Sequence, residues 1–246
     1  MSFLAKIIAI VNQKGGVGKT TTCVNLTAVL RERGKRVLLC DFDPQANSTS
    51  GMGVDKTVSQ GVYDVLINGA DVKSAVVATR YGDVLPSSKA LAGAGIEMID
   101  LPGRESRLRK ALAKVQQDYD FIFIDCPPNG RVMDEAADCS DLIVVPTTTG
   151  PADMVKTFET TDTLGARGFL FAILLTRVLP GTLSLKQSLG ELADRDTSYF
   201  DYQIPSREGL KNFFGNSFGD DLYGYEKVYE QIKQSIKEDK EAYGAN

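Results

Sequence analysis

The apolar run Ile7-Ile8-Ala9-Ile10-Val11 is followed, two residues later, by Lys14-Gly15-Gly16-Val17-Gly18-Lys19-Thr20-Thr21. A strand, a glycine-rich loop and a helix in that order constrain the fold more than any other feature of this chain. The glycines let the loop turn its backbone N–H groups inward, and the helix that follows adds its positive N-terminal end, which together make an anion cradle. In such a cradle Lys19 reaches the β- and γ-phosphates of a nucleotide and the Thr20 hydroxyl ligates Mg²⁺. Gly15, Gly16, Val17, Gly18 and Thr21 complete the wrap around the phosphates. Two departures stand out: Gln13 occupies the place of the first glycine in G-x-x-x-x-G-K-[ST], and Lys14 is a second lysine where one nucleotide needs one. The helix is credible on its own pattern. Cys23, Leu26 and Leu30 recur at i, i+3 and i+7, and Gly34 is a natural stop after Arg31 and Arg33.

Further apolar runs at Val37–Cys40, Phe121–Ile124, Leu142–Val145 and Phe169–Leu175 read as strands, and their near-continuous hydrophobicity suits a parallel sheet covered on both faces. Helical segments separate them at Thr20–Arg33, Glu105–Gln116 and Ala152–Leu164. This alternation predicts right-handed crossovers and an α/β fold: a doubly wound, mostly parallel sheet with helices on both faces. Shorter helices are expected around Val62–Ile67 and Leu91–Ile99. A last one over Tyr225–Ala242 carries Tyr225, Val228, Tyr229, Ile232 and Ile236 on one stripe. No linker, repeat or low-complexity tract interrupts the pattern, so residues 1–246 are expected to form one domain, with no N-terminal helix-turn-helix module.

Composition removes several chemistries. The 246 residues contain no histidine, which excludes a Ser-His-Asp triad, a histidine base and the common histidine-containing zinc sites. Four cysteines without C-x-x-C spacing point to reduced thiols and not to a disulfide or metal frame. A net charge of −4 gives no global electrostatic footprint for nucleic acid, so any DNA contact must come from a local patch. No run of about 18 apolar residues is present, and neither a spanning helix nor a secretory signal is expected.

The carboxylates follow the strands. Phe121-Ile122-Phe123-Ile124-Asp125 ends in an acid at the C-terminal edge of a parallel strand, where open α/β sheets bind ligands and where a phosphate cradle needs an aspartate for its Mg²⁺ shell. Asp41 and Asp43 follow the strand Val37–Cys40 within Asp41-Phe42-Asp43-Pro44-Gln45, and that strand returns beside the phosphates. With no histidine available, one of these two carboxylates orients or polarises the attacking water, which is chemically sufficient for phosphoryl transfer.

These residues resemble the ParA/MinD family of deviant-Walker ATPases, in particular the ParA/Soj partition proteins. The eight residues from Lys14 to Thr21 are similar to the deviant Walker A, with Lys14 as the signature lysine; Asp41-Phe42-Asp43-Pro44-Gln45-Ala46-Asn47 is similar to the second family segment. Tyr63-Asp64-Val65-Leu66, Leu85-Pro86-Ser87-Ser88 and Asp125-Cys126-Pro127-Pro128 support the match, which covers nearly the whole chain. The resemblance implies an ATP hydrolase with ATP and Mg²⁺ as cofactors. Two subunits would sandwich two ATP molecules as a homodimer, with Lys14 crossing to the partner's phosphates. It implies Asp43 as the acid needed for hydrolysis, Asp41 and Asp125 as supports for water and metal, and base contacts near Arg177 and Pro205. It further implies slow basal turnover stimulated by a ParB-like adaptor, nonspecific DNA binding, and a cytoplasmic, nucleoid-associated protein that segregates or positions a plasmid, chromosome or protein cargo. The basic helix with Arg104, Arg107, Arg109, Lys110 and Lys114 is one candidate DNA surface, although such a face is usually just solvated.

The alternative is a MinD-like membrane-associated positioning ATPase, which needs a C-terminal amphipathic helix rich in bulky apolar residues. The tail Lys233–Glu241 is too polar for that, so no membrane partner is expected. An iron–sulfur reductase of the nitrogenase iron-protein type lacks suitable cysteine spacing here, and a metabolic P-loop synthetase is disfavoured by Lys14 together with Asp43-Pro44-Gln45.

Overall fold

The computed structural model describes residues 4–97, 103, 106–128, 132–211 and 223–243. The chain opens with β1 (Lys6–Ile10), α1 (Lys19–Glu32), β2 (Val37–Asp41), α2 (Asn47–Gly51), α3 (Val62–Leu66) and α4 (Val72–Ala75). A short hairpin, β3 (Val77–Thr79) and β4 (Gly82–Leu85), leads to α5 (Leu91–Glu97), α6 (Arg107–Ala113) and β5 (Phe121–Asp125). Then come α7 (Val132–Cys139), β6 (Leu142–Thr147), α8 (Pro151–Ala166), β7 (Phe171–Leu175), α9 (Leu183–Asp194), α10 (Glu208–Lys211) and α11 (Tyr225–Tyr243). The helix expected at Leu91–Ile99 is present as α5, with residues 98 and 99 outside the described residues, as is Glu105 at the start of the next expected helix.

The strands form one sheet in the order β3-β4-β2-β5-β1-β6-β7. Every pairing is parallel except β3 with β4. Alternating side chains sort onto two faces, as the period of two demands. Ile7 and Ala9, Leu38 and Cys40, Ile122 and Ile124 face the cluster closed by α3 to α9; Ile8 and Ile10, Val37 and Leu39, Phe121 and Phe123 face the cluster closed by α1, α10 and α11. Both faces are dry, which is why these strands read as unbroken apolar runs.

The expected stripe of α11 is what seats that helix. Tyr225, Val228, Tyr229, Ile232 and Ile236 are all buried, and Tyr229 meets Phe121 edge to face at 5.5 Å. Each such side chain contributes about 1.5–3 kcal/mol of burial.

The chain leaves β1 through α1 for β2, passing over the place that β5 later fills, while β6 and β7 lie on the other side of β1. This reversal opens a crevice at the C-terminal ends of the strands. Register brings its floor together: Asp125 lies opposite Ile10 on one side and Asp41 on the other.

A close backbone approach fixes the start of α3. A Cβ on Gly61 would lie 2.4 Å from the Pro86 carbonyl oxygen, and the same oxygen accepts the Val62 N–H at 2.8 Å. Neither backbone can yield cheaply. Gly61→Ala should therefore cost about 1–3 kcal/mol of stability by overpacking, read as a lower denaturant midpoint at unchanged slope; a midpoint equal to wild type would contradict this packing.

Candidate active site

The loop after β1 is built around Asn12, a residue without any role in the sequence-based reading. Its buried side chain donates to the Pro146 carbonyl at 2.8 Å and to Thr157 Oγ1 at 3.1 Å, while its Oδ1 accepts the Lys14 N–H at 2.8 Å. The loop is thereby pinned to β6 and α8 before its glycines begin. Gly16 and Gly18 both take positive φ, 78° and 94°, and Gly18 sits at the N-terminus of α1. There, the first turn of α1 has no side-chain cap and no acidic residue. Uncapped N–H groups and an unneutralised dipole at a cleft are the conditions for binding an anion.

Lys19 is the first residue of that helix and only 7% exposed. Its ammonium donates to the carbonyls of Asn12 and Lys14, both at 3.0 Å. Burial lowers its pKa, with the charges of Asp125 and Asp43 opposing that shift. Among the described residues no carboxylate lies within ion-pair distance of it. A buried cation held only by neutral carbonyls is electrostatically incomplete until an anion arrives.

Across the same site lies the opposite deficiency. Asp125 is 1% exposed; its Oδ2 accepts from Thr20 Oγ1 at 2.8 Å and from Ser48 Oγ at 2.6 Å, while its Oδ1 is buried without a partner. Burial pushes its pKa up to about 6, against the lowering by the Ser48 and Thr20 hydroxyls. Asp41, fully buried, is pushed up to about 7 by burial and then by the charge of Asp125. Burial raises both carboxyls, the charge of Lys19 offsets part of this at Asp125, and a divalent cation beside Asp125 would lower it further.

Among the described residues no group of three or more Asp, Glu, His or Cys side chains is placed to cage a metal. Mg²⁺ requires no such cage when phosphates supply part of its shell. Thr20 Oγ1, with its hydrogen given to Asp125, keeps its lone pairs for a cation, so the residues present fit Mg²⁺ beside a nucleotide phosphate.

Gly15, Gly16, Gly18, Lys19, Thr20, Thr21, Asp43 and Arg177 all line one cavity of about 230 Å³. Pro128 lines it too, in the loop expected to face the γ-phosphate, as does Asn47, which has no role in the sequence-based reading. A second cavity of about 210 Å³ shares Gly18, Thr21 and Arg177 with the first and continues past Pro205, Ile204 and Tyr225. The Val178 N–H donates to the Ile204 carbonyl at 3.0 Å, and the Ser206 N–H returns to the Val178 carbonyl at 2.9 Å, which brings Arg177 and Pro205 to one wall. Arg177 takes a positive φ of 53°, uncommon for a residue with a Cβ.

Four expected site residues line neither cavity: Asp125, described above, and Val17, Asp41 and Lys14. Val17 is 1% exposed and lines neither cavity; its carbonyl accepts from Thr176 Oγ1 at 2.8 Å, so it anchors the loop from behind. Asp41 also points inward. Its Oδ2 accepts the N–H and hydroxyl of Thr49, both at 2.7 Å, and its Oδ1 accepts the Asp43 N–H at 3.2 Å. With both oxygens engaged, and lining neither of these two cavities, Asp41 shapes the segment that carries Asp43. Lys14 lies outside: its side chain is 44% exposed and its nearest acid is Asp153 of α8, at 3.6 Å.

A buried lysine at the first residue of a helix that follows a glycine loop, and a strand-end carboxylate with one unpartnered oxygen, at the switch point of a parallel sheet, define a P-loop nucleotide-binding protein. The chain belongs to the AAA domain family, whose match spans residues 5–159, and within it groups with ParA/Soj-type proteins. The sporulation initiation inhibitor protein Soj of Bacillus subtilis is 54% identical over 147 residues, 58% of this chain and 58% of that protein. The chain thus spans little more than half the length of such relatives. A putative plasmid partition protein from Borrelia burgdorferi, bound to AMPPNP, has a TM-score of 0.81 at 25% identity, covering 94% of this chain and 99% of its own. Cobyrinic acid a,c-diamide synthase from Mycobacterium smegmatis, with a bound ATP analogue and magnesium, has a TM-score of 0.77 at 28% identity over 94% of this chain and 96% of its own.

Proposed function

We propose that this chain is a ParA-type ATPase that binds ATP and Mg²⁺, forms a homodimer around the nucleotide, and hydrolyses it slowly until a ParB-like adaptor stimulates turnover. In this reading the dimer associates nonspecifically with DNA, in the cytoplasm and on the nucleoid, to position or segregate a plasmid, chromosome or protein cargo. The observation that carries it is the division of labour between the two lysines. Lys19 is enclosed by its own loop, whereas Lys14 projects outward to a partly exposed pair with Asp153. A pair so exposed is worth only about 0.2–1 kcal/mol, so Lys14 can leave it for a phosphate on a second subunit.

Bound Mg²⁺ would neutralise charge across the β- and γ-phosphates. Lys19 and the N–H groups of the loop hold those phosphates, Thr20 and Asp125 face the cation, and Asp43 holds the attacking water. Lys14 from the partner meets charge developing on the γ-phosphate, as an arginine finger does. Arg177 and Pro205 receive the base.

The synthase likeness supports a second reading, a metabolic P-loop enzyme. Lys14 with Asp43-Pro44-Gln45, and the 54% identity to Soj, favour the partition type. For a MinD-like membrane cycle, the apolar stripe of α11 is committed to the core, and among the described residues no helix is long and apolar enough to cross a membrane.

The DNA surface belongs to this proposal as well. Of the basic set on and before α6, Arg107 donates to the Leu66 carbonyl and Arg109 to that of Asp138, Arg104 lies outside the described residues, and Lys110 and Lys114 are exposed. Retention on DNA should require ATP and fall steeply with salt.

The test is size-exclusion chromatography with ATP and Mg²⁺, run on the wild type and on Asp43→Ala. Loss of the water-positioning carboxylate should slow hydrolysis about a hundredfold and leave a stable ATP-bound dimer. Only monomer in both samples would refute the dimer scheme.

A further inference from the structure

Ser48 has no part in the scheme above, yet it makes the shortest hydrogen bond to the carboxylate at the centre of the site. It is fully buried in α2, and its hydroxyl donates to Asp125 Oδ2 at 2.6 Å, the same oxygen that Thr20 contacts at 2.8 Å. Its neighbour Thr49 clasps Asp41 with both its N–H and its hydroxyl, and the Thr49 hydroxyl oxygen accepts the Ser87 N–H at 2.9 Å. Two consecutive residues therefore each grip one of the two facing strand-end carboxylates.

The stretch these grips secure is the one that carries Asp43 and Asn47 into the phosphate cavity. Local preference does not hold it there. Ala46, immediately before α2, takes a left-handed φ of 52°, which its Cβ disfavours. The α2 helix has five residues and no side-chain cap at its N-terminus. Side-chain bonds to two buried acids hold it in position.

We propose that Ser48 is a positioning residue that ties the Asp43 segment to the cation-facing carboxylate, so that Thr20, Asp125 and Asp43 hold their mutual register as one unit. Because Ser48 and Thr20 share Oδ2, the Oδ1 atom stays the free acceptor of Asp125. The inference rests on the ATP and Mg²⁺ reading. It goes further in assigning the link between cation binding and the hydrolytic segment to one hydroxyl.

The test compares wild type with Ser48→Ala, Ser48→Cys and Ser48→Thr in two measurements. The first is binding of a fluorescent ADP analogue, in EDTA and across a Mg²⁺ titration; the second is steady-state ATP hydrolysis. With Ser48→Ala, affinity in EDTA should stay within about twofold, since the phosphate cradle is untouched. The Mg²⁺ concentration giving half the gain in affinity should rise about fivefold or more, and kcat should fall about tenfold with KM little changed. Ser48→Thr, which keeps the hydroxyl, should recover most of both. Ser48→Cys nearly keeps the volume while losing the strong donor, so it reads the same quantities if Ser48→Ala does not fold. Should the alanine or cysteine variant lose thermal stability alone, with the Mg²⁺ titration and kcat of wild type, Ser48 is a packing residue and the proposal fails. If wild type itself shows no Mg²⁺-dependent nucleotide binding, the ATPase reading fails and takes this inference with it.

Discussion

Lys14→Ala should leave nucleotide binding by the monomer close to wild type while lowering ATP hydrolysis about a thousandfold or more. The side chain is outside the phosphate cavity, so its loss removes no contact that the monomer makes with its own nucleotide. Its backbone N–H still bonds to Asn12 Oδ1, and its carbonyl still accepts from Lys19, so the loop keeps its shape. What disappears is a positive charge delivered across the subunit interface to the γ-phosphate, a contribution worth about 10³–10⁵ in rate where an arginine finger supplies it. Fluorescent-nucleotide titration and a phosphate-release assay separate the two quantities. A loss of binding matching that of Lys19→Ala would place Lys14 in the ordinary cradle role and overturn the two-subunit site.

Lys19→Ala should behave in the opposite sense, with nucleotide affinity falling about a hundredfold or more. The ammonium is already buried and already oriented by two carbonyls, so little ordering entropy is lost when phosphate oxygens complete its shell. Charge-assisted bonds contribute about 1.5–3 kcal/mol each, and two of them correspond to roughly two or more decades of affinity. The apo protein tells the rest. Removing the buried ammonium relieves its desolvation penalty but also takes away the charge that opposes buried Asp125, so the unliganded protein should change little in stability. Calorimetric titration with ADP and a denaturant curve without it check both halves. Tight binding by Lys19→Ala would remove the site from this loop.

The fold was largely legible because parallel strands buried on both faces must be continuously apolar. The five long runs appear as β1, β2, β5, β6 and β7, within one or two residues at each end. The hairpin β3–β4 and the helices α2, α4, α7, α9 and α10 were not read. Most are too short to display a period, and α9 presents only Ser188 and Leu192 as buried positions. At the site, Lys19, Thr20 and Asp125 could be picked out because phosphate and Mg²⁺ chemistry demands those residue types after those strands, whereas that chemistry left Asp41 and Asp43 equivalent. Asn12, Asn47, Ser48 and Thr49 could not be picked out. Nothing local distinguishes a polar residue that caps its own loop from one that bonds a carboxylate 77 positions away, as Ser48 does.

By itself, then, the order strand, glycine loop, lysine, hydroxyl and helix determined that the chain builds an anion cradle on a parallel sheet, since spacing along one short segment already dictates that local geometry. The tertiary structure alone decided which acid faces the cavity and which turns inward, and which lysine is enclosed and which is free to reach elsewhere. Asp41 and Asp43 are two residues apart with the same chemistry. Their roles divide because the buried N–H and hydroxyl of Thr49 claim one carboxylate and leave the other at the phosphates. Lys14 and Lys19 divide for the same kind of reason: the loop folds around one ammonium and turns the other out.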